Sequence, residues 1–295
     1  MFDLVEKAAF QTAYPDGNAM LSFAGGTPLL TRQRLVSLAN ALPAAHVEFN
    51  PGDLPITVSP DNVPEAGMSA AETIEQIGSA NSWMVLRNVE RDPAYAQVME
   101  SVLATVGDLV DHKTGPMLRK EAFVFISSPG AVTPFHFDEE HNILIQIEGR
   151  KEFTIYSQHD RELASQEDLE AFHSGAHRNL TASASKLARG TAMVMEPGDA
   201  IYVPPLAPHW VRVLGDQPSL SLSITWRSNA SQRACYLHQI NHELRQAGGN
   251  PSFPGRNPVA DQLKIWRASG KRRLQSSAIR LSQRVSGNAH PWRNS

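Results

Sequence analysis

The chain has 295 residues and a mass of 32.4 kDa, enough for one large domain or two small ones. Its content of 41% hydrophobic and 19% charged residues is ordinary for a globular protein, and no run approaches the ~20 apolar residues of a membrane span. The first ten residues lack the layout of a secretion signal. A single cysteine, Cys235, excludes a disulfide framework and multi-thiolate metal sites. We therefore expect a cytoplasmic protein with no membrane partner, in which histidine and carboxylate would hold any metal.

The net charge of −3 is unevenly distributed along the chain. Residues 256–295 contain nine Lys or Arg against one acid, whereas residues 1–255 contain 18 against 29. A basic tail can contact nucleic acid, but no known binding motif accompanies this one. We expect it to be a solvated helix that docks on the acidic body or on a second subunit, and we expect no nucleic-acid partner.

Residues 1–118 have the pattern of a mixed α/β region that packs on the rest of the molecule. Residues 43–68 are rich in Pro, Gly and Asp and are predicted to be irregular. Local signals predict four elements: an amphipathic helix capped by Thr31, a helix after the Ser69–Glu72 capping box, a strand at Trp83–Leu86, and a helix from Asp92-Pro93 to Leu109.

Residues 119–228 change to short apolar runs bounded by Gly, Pro, Asp and Ser, which is typical of antiparallel strands. Glu148-Gly149 predicts a hairpin turn between two of them, and residues 157–190 form a longer polar insert. Together these features predict a mainly β protein with a jelly-roll core and flanking helices. The predicted strands are Ala122–Ile126, Ile143–Ile147, Lys151–Tyr156, Thr191–Met195, Ala200–Val203, Trp210–Val213 and Leu220–Trp226.

Residues 229–295 are predicted to be a C-terminal helical region. Helices are expected at 229–247 and 258–285, separated by the breaker run GGNPSFPGRNP. The second helix carries enough apolar side chains to dock on another surface, so it is a candidate dimerisation element. Its apolar residues are Ile265, Trp266, Leu274, Ile279, Leu281 and Val285.

Two separated patterns predict a metal site. His136 and Asp138 are two residues apart in a strand-like run, so both side chains would point to one face. Further on, a turn at Pro197–Asp199 precedes a short strand, and His209 then begins the next strand. Each pattern alone occurs by chance, but together they provide two histidines and one carboxylate on one face of a barrel, the facial triad of non-haem Fe(II) oxygenases. His141 competes as a ligand, although strand alternation would turn it away from His136.

Lys151 occupies an unusual position in the run GRKEFTIY. Strand alternation places it on one face with Phe153 and Ile155, which is the face expected to be buried. An isolated ammonium group among apolar side chains is costly unless it meets an anion. The alternative is a strand-edge lysine whose stem lies on apolar surface while its charged head reaches water.

The run TPFHFDEEHNILIQIEGRKEFTIY resembles the core of the Jumonji-C and cupin-like 2-oxoglutarate oxygenases. The resemblance covers about residues 120–228 and is closest to the subgroup typified by the asparaginyl hydroxylase that acts on hypoxia-inducible factor. It implies a double-stranded β-helix in which His136, Asp138 and His209 bind Fe(II). It also implies that Thr133 and Lys151 bind the distal carboxylate of 2-oxoglutarate, with Asn142 lining the same pocket.

The sequence departs from that family at two places. The last predicted strand carries Ile224 or, with a slip of one residue, Ser223 where the closest relatives have an inward Asn. The insert 157–190 aligns with no known counterpart, so no substrate residue can be transferred to it.

The resemblance implies an Fe(II)/2-oxoglutarate-dependent dioxygenase that uses O2 and hydroxylates a protein side chain or a small molecule. One alternative is a non-catalytic metal-binding cupin module with a regulatory or ligand-sensing role. Another is a metal-dependent isomerase or hydrolase, against which Thr133 and Lys151 argue, because neither chemistry needs a deep carboxylate clamp. The sequence leaves open the substrate, the oligomeric state and the identity of the metal in vivo.

Overall fold

The computed structural model describes residues 2–5, 7–26, 28–58 and 69–270. Within these residues the chain forms twelve strands. The strands are β1 (Phe2–Leu4), β2 (Ala19–Gly25), β3 (Val47–Pro51), β4 (Ser82–Arg87), β5 (Leu118–Ser127), β6 (Val132–His136), β7 (His141–Glu148), β8 (Arg150–Ile155), β9 (Thr191–Met195), β10 (Asp199–Val203), β11 (His209–Leu214) and β12 (Ser219–Arg227).

The strands form two antiparallel sheets. The large sheet has the order β1-β2-β10-β7-β12-β5-β4-β3 and the small sheet the order β6-β11-β8-β9. From β5 onward the chain crosses repeatedly between the two sheets, which is the jelly-roll arrangement. The predicted mainly β fold class is therefore confirmed, and every strand predicted within residues 119–228 is present.

The N-terminal third contributes strands to the large sheet. β2 pairs with β10 at one edge, while β4 pairs with β5 and β3 with β4 at the other. The prediction that residues 43–68 are irregular is wrong for Val47–Pro51, which form β3. Pairing with β4, a contact distant in sequence, supplies the backbone hydrogen bonds that the local sequence does not indicate.

Helices cover the outer face of the large sheet and flank the insert. They are α1 (Lys7–Ala13), α2 (Arg32–Ala41), α3 (Ala70–Glu75), α4 (Pro93–Ala104), α5 (Gly107–Thr114), α6 (Gln166–His173), α7 (Ala184–Leu187) and α8 (Asn229–Gln246). Residues 258–270 are also helical, and the rest of the predicted 258–285 helix lies outside the described residues. None of the described helices is both long enough and apolar enough to span a bilayer. The role of the C-terminal region in a dimer stays a prediction.

The ends of the helices agree with some of the predicted caps and differ from others. Ser69 and Glu72 form the predicted capping box before α3, and Asp92 caps α4 by accepting from the Ala94 N–H at 2.8 Å. Thr31 precedes α2 as predicted, but its side chain makes no capping hydrogen bond. The single helix predicted up to Leu109 is also wrong, because α4 ends at Ala104 and α5 begins at Gly107.

The predicted hairpin at Glu148-Gly149 is a corner between the two sheets. Gly149 has φ 68°, and β7 on one side of it belongs to the large sheet while β8 on the other belongs to the small one. A side chain at Gly149 would bring a Cβ to 2.2 Å from the Pro218 carbonyl oxygen, so the corner requires glycine. The turn therefore directs Lys151 into the small sheet instead of pairing its strand with β7.

β12 alternates strictly between two environments. Its apolar residues are buried in the main core between the large sheet and the helices, whereas its hydroxyl residues face the barrel interior. The apolar set is Leu220, Leu222, Ile224 and Trp226, and the hydroxyl set is Ser219, Ser221, Ser223 and Thr225. The barrel interior is thus lined on this side by polar groups.

Candidate metal centre

The inner face of the small sheet carries most of the predicted site. β11 and β8 pair with His209 opposite Ile155, Val211 opposite Phe153, and Val213 opposite Lys151. Residues directly opposite each other in antiparallel strands point to the same face. Lys151, Phe153 and Ile155 therefore share the face of His209, as the alternation in GRKEFTIY predicts.

A β-bulge in β6 brings Thr133 onto that face as well. His136 lies opposite His209, and Thr133 lies opposite Val211, so β6 uses three steps where β11 uses two. The extra residue turns two side chains an odd number of residues apart toward the same side. Thr133 and His136 therefore both face the interior, which regular alternation would not allow.

Asp138 lies in the loop after β6, not on the strand as the sequence pattern predicts. Its backbone is fixed by the Leu206 N–H, which donates to the Asp138 carbonyl at 2.6 Å. The loop nevertheless directs the carboxylate to the two imidazoles. The prediction that the side chains of His136 and Asp138 converge is therefore correct, but the strand geometry from which it was derived applies to His136 alone.

The three predicted metal ligands come together. Asp138 Oδ2 is 3.7 Å from His136 Nε2 and 3.7 Å from His209 Nε2, and the imidazole centroids are 4.2 Å apart. Their ligand atoms all lie within 4.8 Å of one another. Both imidazoles are buried, and the Phe153 ring stacks on His209 with a centroid distance of 5.0 Å.

Backbone carbonyls orient both histidines for metal binding. His136 Nδ1–H donates to the Pro134 carbonyl at 2.6 Å, and His209 Nδ1–H donates to the Ala207 carbonyl at 2.9 Å. This pattern leaves both Nε2 lone pairs directed at Asp138. Burial also lowers the pKa of each imidazole, well below its usual range for His136. Two neutral imidazoles and a carboxylate are a donor set that fits a divalent transition metal.

Arg178, in the insert, contacts the third ligand. Its Nη1 donates to Asp138 Oδ1 at 2.6 Å, so Oδ2 remains for the metal. Burial alone would favour the neutral acid, but Arg178 and the two imidazoles hold the pKa of Asp138 well below its usual range. No spacing marks Arg178 in the sequence, because its position depends on the pairing of neighbouring residues 179 and 180 with β6.

Lys151 is buried and has no anionic partner. Its side chain belongs to a residue only 4% exposed, and its Nζ lies 5.8 Å from the centroid of the Phe125 ring. Among the described residues, no hydrogen bond or ion pair reaches this ammonium group. Burial lowers the pKa of Lys151 to about 7. The strand-edge alternative, in which the charged head reaches water, is wrong.

Asn142 faces the barrel interior from β7, opposite Thr225. The Ser223 hydroxyl donates to Asn142 Oδ1 at 2.8 Å. Ser223, not Ile224, is therefore the inward residue of β12 at the position that the sequence left ambiguous, while Ile224 is fully buried in the outer core.

Two cavities adjoin the triad and share Arg87 and Arg178. One, of about 150 Å³, is lined by Thr133 and His136, and the other, of about 390 Å³, by Asp138 and Asn142. Thr133 and Asn142 therefore adjoin the triad from two different cavities.

His141 is not a ligand of this site. It faces the outer side of β7, where its Nδ1 contacts the Tyr202 hydroxyl at 2.8 Å and its Nε2 the Ser228 hydroxyl at 3.2 Å. Its ring stacks on Trp226 with a centroid distance of 5.3 Å. His141 points away from the triad, as predicted, but a loop at residues 137–140 separates its strand from that of His136, so alternation along a single strand is not the cause.

Sequence comparison identifies a domain family over the segment that carries these residues. Residues 111–234 match the family model described as JmjC domain. The Jumonji C domain-containing protein 5 of Drosophila melanogaster is 28% identical over 108 residues, which are 35% of this chain and 26% of that protein. The match thus spans about a quarter of the relative. These findings support the JmjC and cupin-like oxygenase family, and the asparaginyl hydroxylase subgroup is not confirmed.

Solved structures with a similar fold include those of the Escherichia coli protein YcfD. One superimposes with a TM-score of 0.52 at 15% identity, covering 92% of this chain and 68% of YcfD. A second, described as YcfD, a ribosomal oxygenase, in complex with cobalt and succinic acid, gives a TM-score of 0.51 at 14% identity with the same coverage. At these identities the likeness shows the fold alone.

Proposed function

We propose that the protein is an Fe(II)- and 2-oxoglutarate-dependent oxygenase that hydroxylates a protein side chain or a small molecule. One observation carries this proposal: the histidines of the triad and a buried, unpartnered ammonium group lie on one inner face of the barrel. The triad alone suits several metal-dependent chemistries. Lys151 narrows them, because it calls for a ligand that carries an anion deep in the barrel.

Each residue has a physical task in this proposal. His136, Asp138 and His209 would hold the ion through one side of its coordination sphere and leave the other side open for ligands. When bound, the iron and its cosubstrate supply the oxidation chemistry. Arg178 keeps one oxygen of Asp138 away from the ion and fixes the direction of the other.

The cosubstrate would be held at its far end by Lys151. A dicarboxylate that binds the metal through one end can offset the burial cost of the lysine with its other carboxylate. Thr133 faces the same interior, and Asn142 adjoins the triad from the large sheet, so both are proposed as further cosubstrate contacts. Succinic acid, present with cobalt in the E. coli YcfD structure, is a dicarboxylate of this kind.

Binding can be tested without knowing the substrate. 2-Oxoglutarate is titrated into anaerobic, Fe(II)-loaded protein, and the visible charge-transfer band of the chelate is recorded. We expect the band in the wild type and in the control His159→Gln, which changes an exposed histidine, and none in His136→Ala. Absence of the band from the wild type, with tight Zn(II) binding instead, would favour the non-catalytic module.

Turnover tests the same proposal independently. Succinate formation should be abolished in Asp138→Ala, and a substrate screen by the mass shift of one oxygen atom, with lysate peptides and free amino acids side by side, should identify the product class. Full turnover in Asp138→Ala would exclude the assigned triad.

A further inference from the structure

A second group of metal-ligating side chains lies outside the triad. Glu139, His173 and Cys235 place one ligand atom each within 4.8 Å of one another. They come from three separate parts of the chain: the loop after β6, the last residue of α6, and α8. Nothing in the proposed oxygenase chemistry uses them.

Regular elements hold two of the three side chains in place. Gln239 of α8 donates to the His173 carbonyl at 3.0 Å, and it lies one turn beyond Cys235 on the same helix. Arg245 of α8 donates to both oxygens of the fully buried Glu170 of α6, at 2.7 and 3.2 Å. The relative position of α6 and α8 is therefore fixed by contacts next to the cluster.

The His173 imidazole lacks the partners that a buried ring needs. Its side chain is 2% exposed, and within the described part of the chain neither ring nitrogen has a hydrogen-bond partner. Nδ1 lies 3.5 Å from Glu139 Oε2, longer than a normal hydrogen bond. Burying such a group unpaired is costly, so the position points to a ligand that the protein alone does not supply.

Carboxylates and guanidinium groups both surround the cluster, and Arg119 and Arg227 line the same cavity as the three candidate ligands. Glu139 and Glu140 share one guanidinium, that of Arg227, which contacts both carboxylates. Arg227 can keep its contact with Glu140, at 2.8 Å, when Glu139 engages another positive charge. An open cavity of about 500 Å³, lined by all three candidate ligands, gives access from solvent.

We propose that Glu139, His173 and Cys235 form a second metal site that binds Zn²⁺. The donors are one carboxylate oxygen, one imidazole nitrogen and one thiolate, a mixed set that zinc accepts and that Mg²⁺ and Ca²⁺ do not favour. The Cys235 thiol releases its proton to solvent as the sulfur–zinc bond forms, and water completes the coordination.

The site would act on the triad through the backbone. Glu139 directly follows Asp138, so a metal there would link the loop that supplies an iron ligand to both the insert and the C-terminal helix. Its expected role is structural, because it fixes three elements that otherwise meet only through side-chain contacts.

Cobalt substitution distinguishes the two sites. Cys235 is the single cysteine of the chain and the triad contains no sulfur, so a near-ultraviolet thiolate-to-cobalt charge-transfer band can arise only from the proposed site. Co²⁺ is titrated into the metal-free, full-length protein. We expect a saturable band that Zn²⁺ abolishes. The band should persist in His209→Ala and in the control His112→Gln, which changes an exposed histidine. In His173→Gln, reaching the same band intensity should need at least about 10-fold more Co²⁺.

Alkylation provides a second readout. Zn²⁺ should slow the reaction of Cys235 with iodoacetamide in the wild type at least about 10-fold, measured from the mass of the intact protein, because the metal-bound thiolate is no longer free. If His173→Gln does not fold, the alkylation rate and the zinc-displaceable band of the wild type still show whether Zn²⁺ binds at Cys235. A missing band, unchanged alkylation, or a band equally strong in His173→Gln and Glu139→Gln would overturn the proposal.

Discussion

The two inner walls of the barrel use polar residues in opposite ways. The apolar wall consists of Phe153, Ile155, Val211 and Val213 of β8 and β11, interrupted by His209 and Lys151. The hydroxyl wall consists of Ser219, Ser221, Ser223 and Thr225 of β12 with Asn142 and Gln146 of β7. The first wall is apolar with two exceptions, whereas the second is mainly polar, with Leu144 of β7 as an apolar member opposite Ser223.

The difference is that most polar groups of the hydroxyl wall find partners, whereas those of the apolar wall do not. In the hydroxyl wall, Gln146 donates to Ser219 at 2.8 Å and accepts from Ser221 at 2.7 Å. In the apolar wall, the Lys151 ammonium group and the His209 Nε2 have no hydrogen-bond donor or acceptor from the described residues apart from the neighbouring triad. A buried polar group satisfied by the fold stabilises structure, whereas one left unsatisfied marks a place for a ligand.

Lys151→Met tests most directly whether the unpartnered lysine of the apolar wall binds the cosubstrate. The substitution retains the length of the side chain and removes the charge that we assign to the cosubstrate. Loss of one member of a buried charge pair costs about 2–5 kcal/mol, so the affinity for 2-oxoglutarate should fall on the order of 30- to 1000-fold or more. Stability should rise by a few degrees in Tm, because an unpaired buried charge is replaced by an apolar group.

Lys151→Met should lower the affinity for 2-oxoglutarate while it raises the Tm, so general unfolding cannot explain the loss of affinity. Glu152→Met is the matched control, since Glu152 lies next to Lys151 on the opposite face of β8. It should leave 2-oxoglutarate affinity, measured by titration, nearly unchanged. Unaltered affinity in Lys151→Met would place the cosubstrate carboxylate elsewhere.

Arg178→Gln tests whether the insert supports the triad. Loss of the guanidinium frees Asp138 to rotate and also removes a positive charge near the ion. The loss of orientation should dominate, because Arg178 is partly exposed and its charge is screened. Second-sphere substitutions of this kind weaken metal binding about 10- to 100-fold.

The measurement is the dissociation constant for Co²⁺ in Arg178→Gln, with Arg178→Lys expected to recover part of the affinity. Arg189→Gln is the control, because Arg189 also lies in the insert but pairs with Asp160 and Glu162. Equal affinity in Arg178→Gln and Arg189→Gln would show that the contact with Asp138 has no part in binding.

Two buried histidines, His141 and His238, predict a loss of stability in acid. Burial lowers the pKa of His141 to about 3, and burial together with His173 lowers that of His238 to about 3. In the unfolded chain both groups take up a proton near 6.5, so the unfolding free energy falls as the pH drops below that value. At pH 5 each histidine should cost on the order of 2 kcal/mol.

Denaturant unfolding at pH 7.5 and pH 5 measures this loss directly. His141→Gln removes one of the two groups, so its stability should depend less on pH than that of the wild type, whatever its stability at pH 7.5. An equal loss in both proteins would assign the acid sensitivity to other groups, such as Asp138, whose pKa lies well below its usual range.

The sequence predicts the features that depend on neighbouring residues, but not those that depend on contacts between distant parts of the chain. Alternation was sufficient for Lys151 and for the strands of the core, because it depends only on neighbouring residues. The bulge that turns Thr133 inward, the strand β3 and the contact of Arg178 with Asp138 could not be predicted in this way. Each depends on pairing between parts of the chain far apart in sequence. Ser223 and Ile224 lie between these two cases. Alternation places them on opposite faces of β12, but which of the two faces inward depends on how β12 pairs with its neighbours.

Ser223→Ala gives the smallest expected effect and tests the hydroxyl wall itself. It removes the donor to Asn142 Oδ1 and should cost about 1 kcal/mol of stability, the usual contribution of one hydrogen bond. The apparent affinity for 2-oxoglutarate should change by less than about 5-fold, because the serine is already satisfied by the fold. Thr225 provides the internal contrast: its hydroxyl has no partner among the described residues, and it lines the cavity that holds Asp138. If Ser223→Ala reduced affinity as strongly as Lys151→Met, the Ser223 hydroxyl would belong to the cosubstrate site together with Asn142.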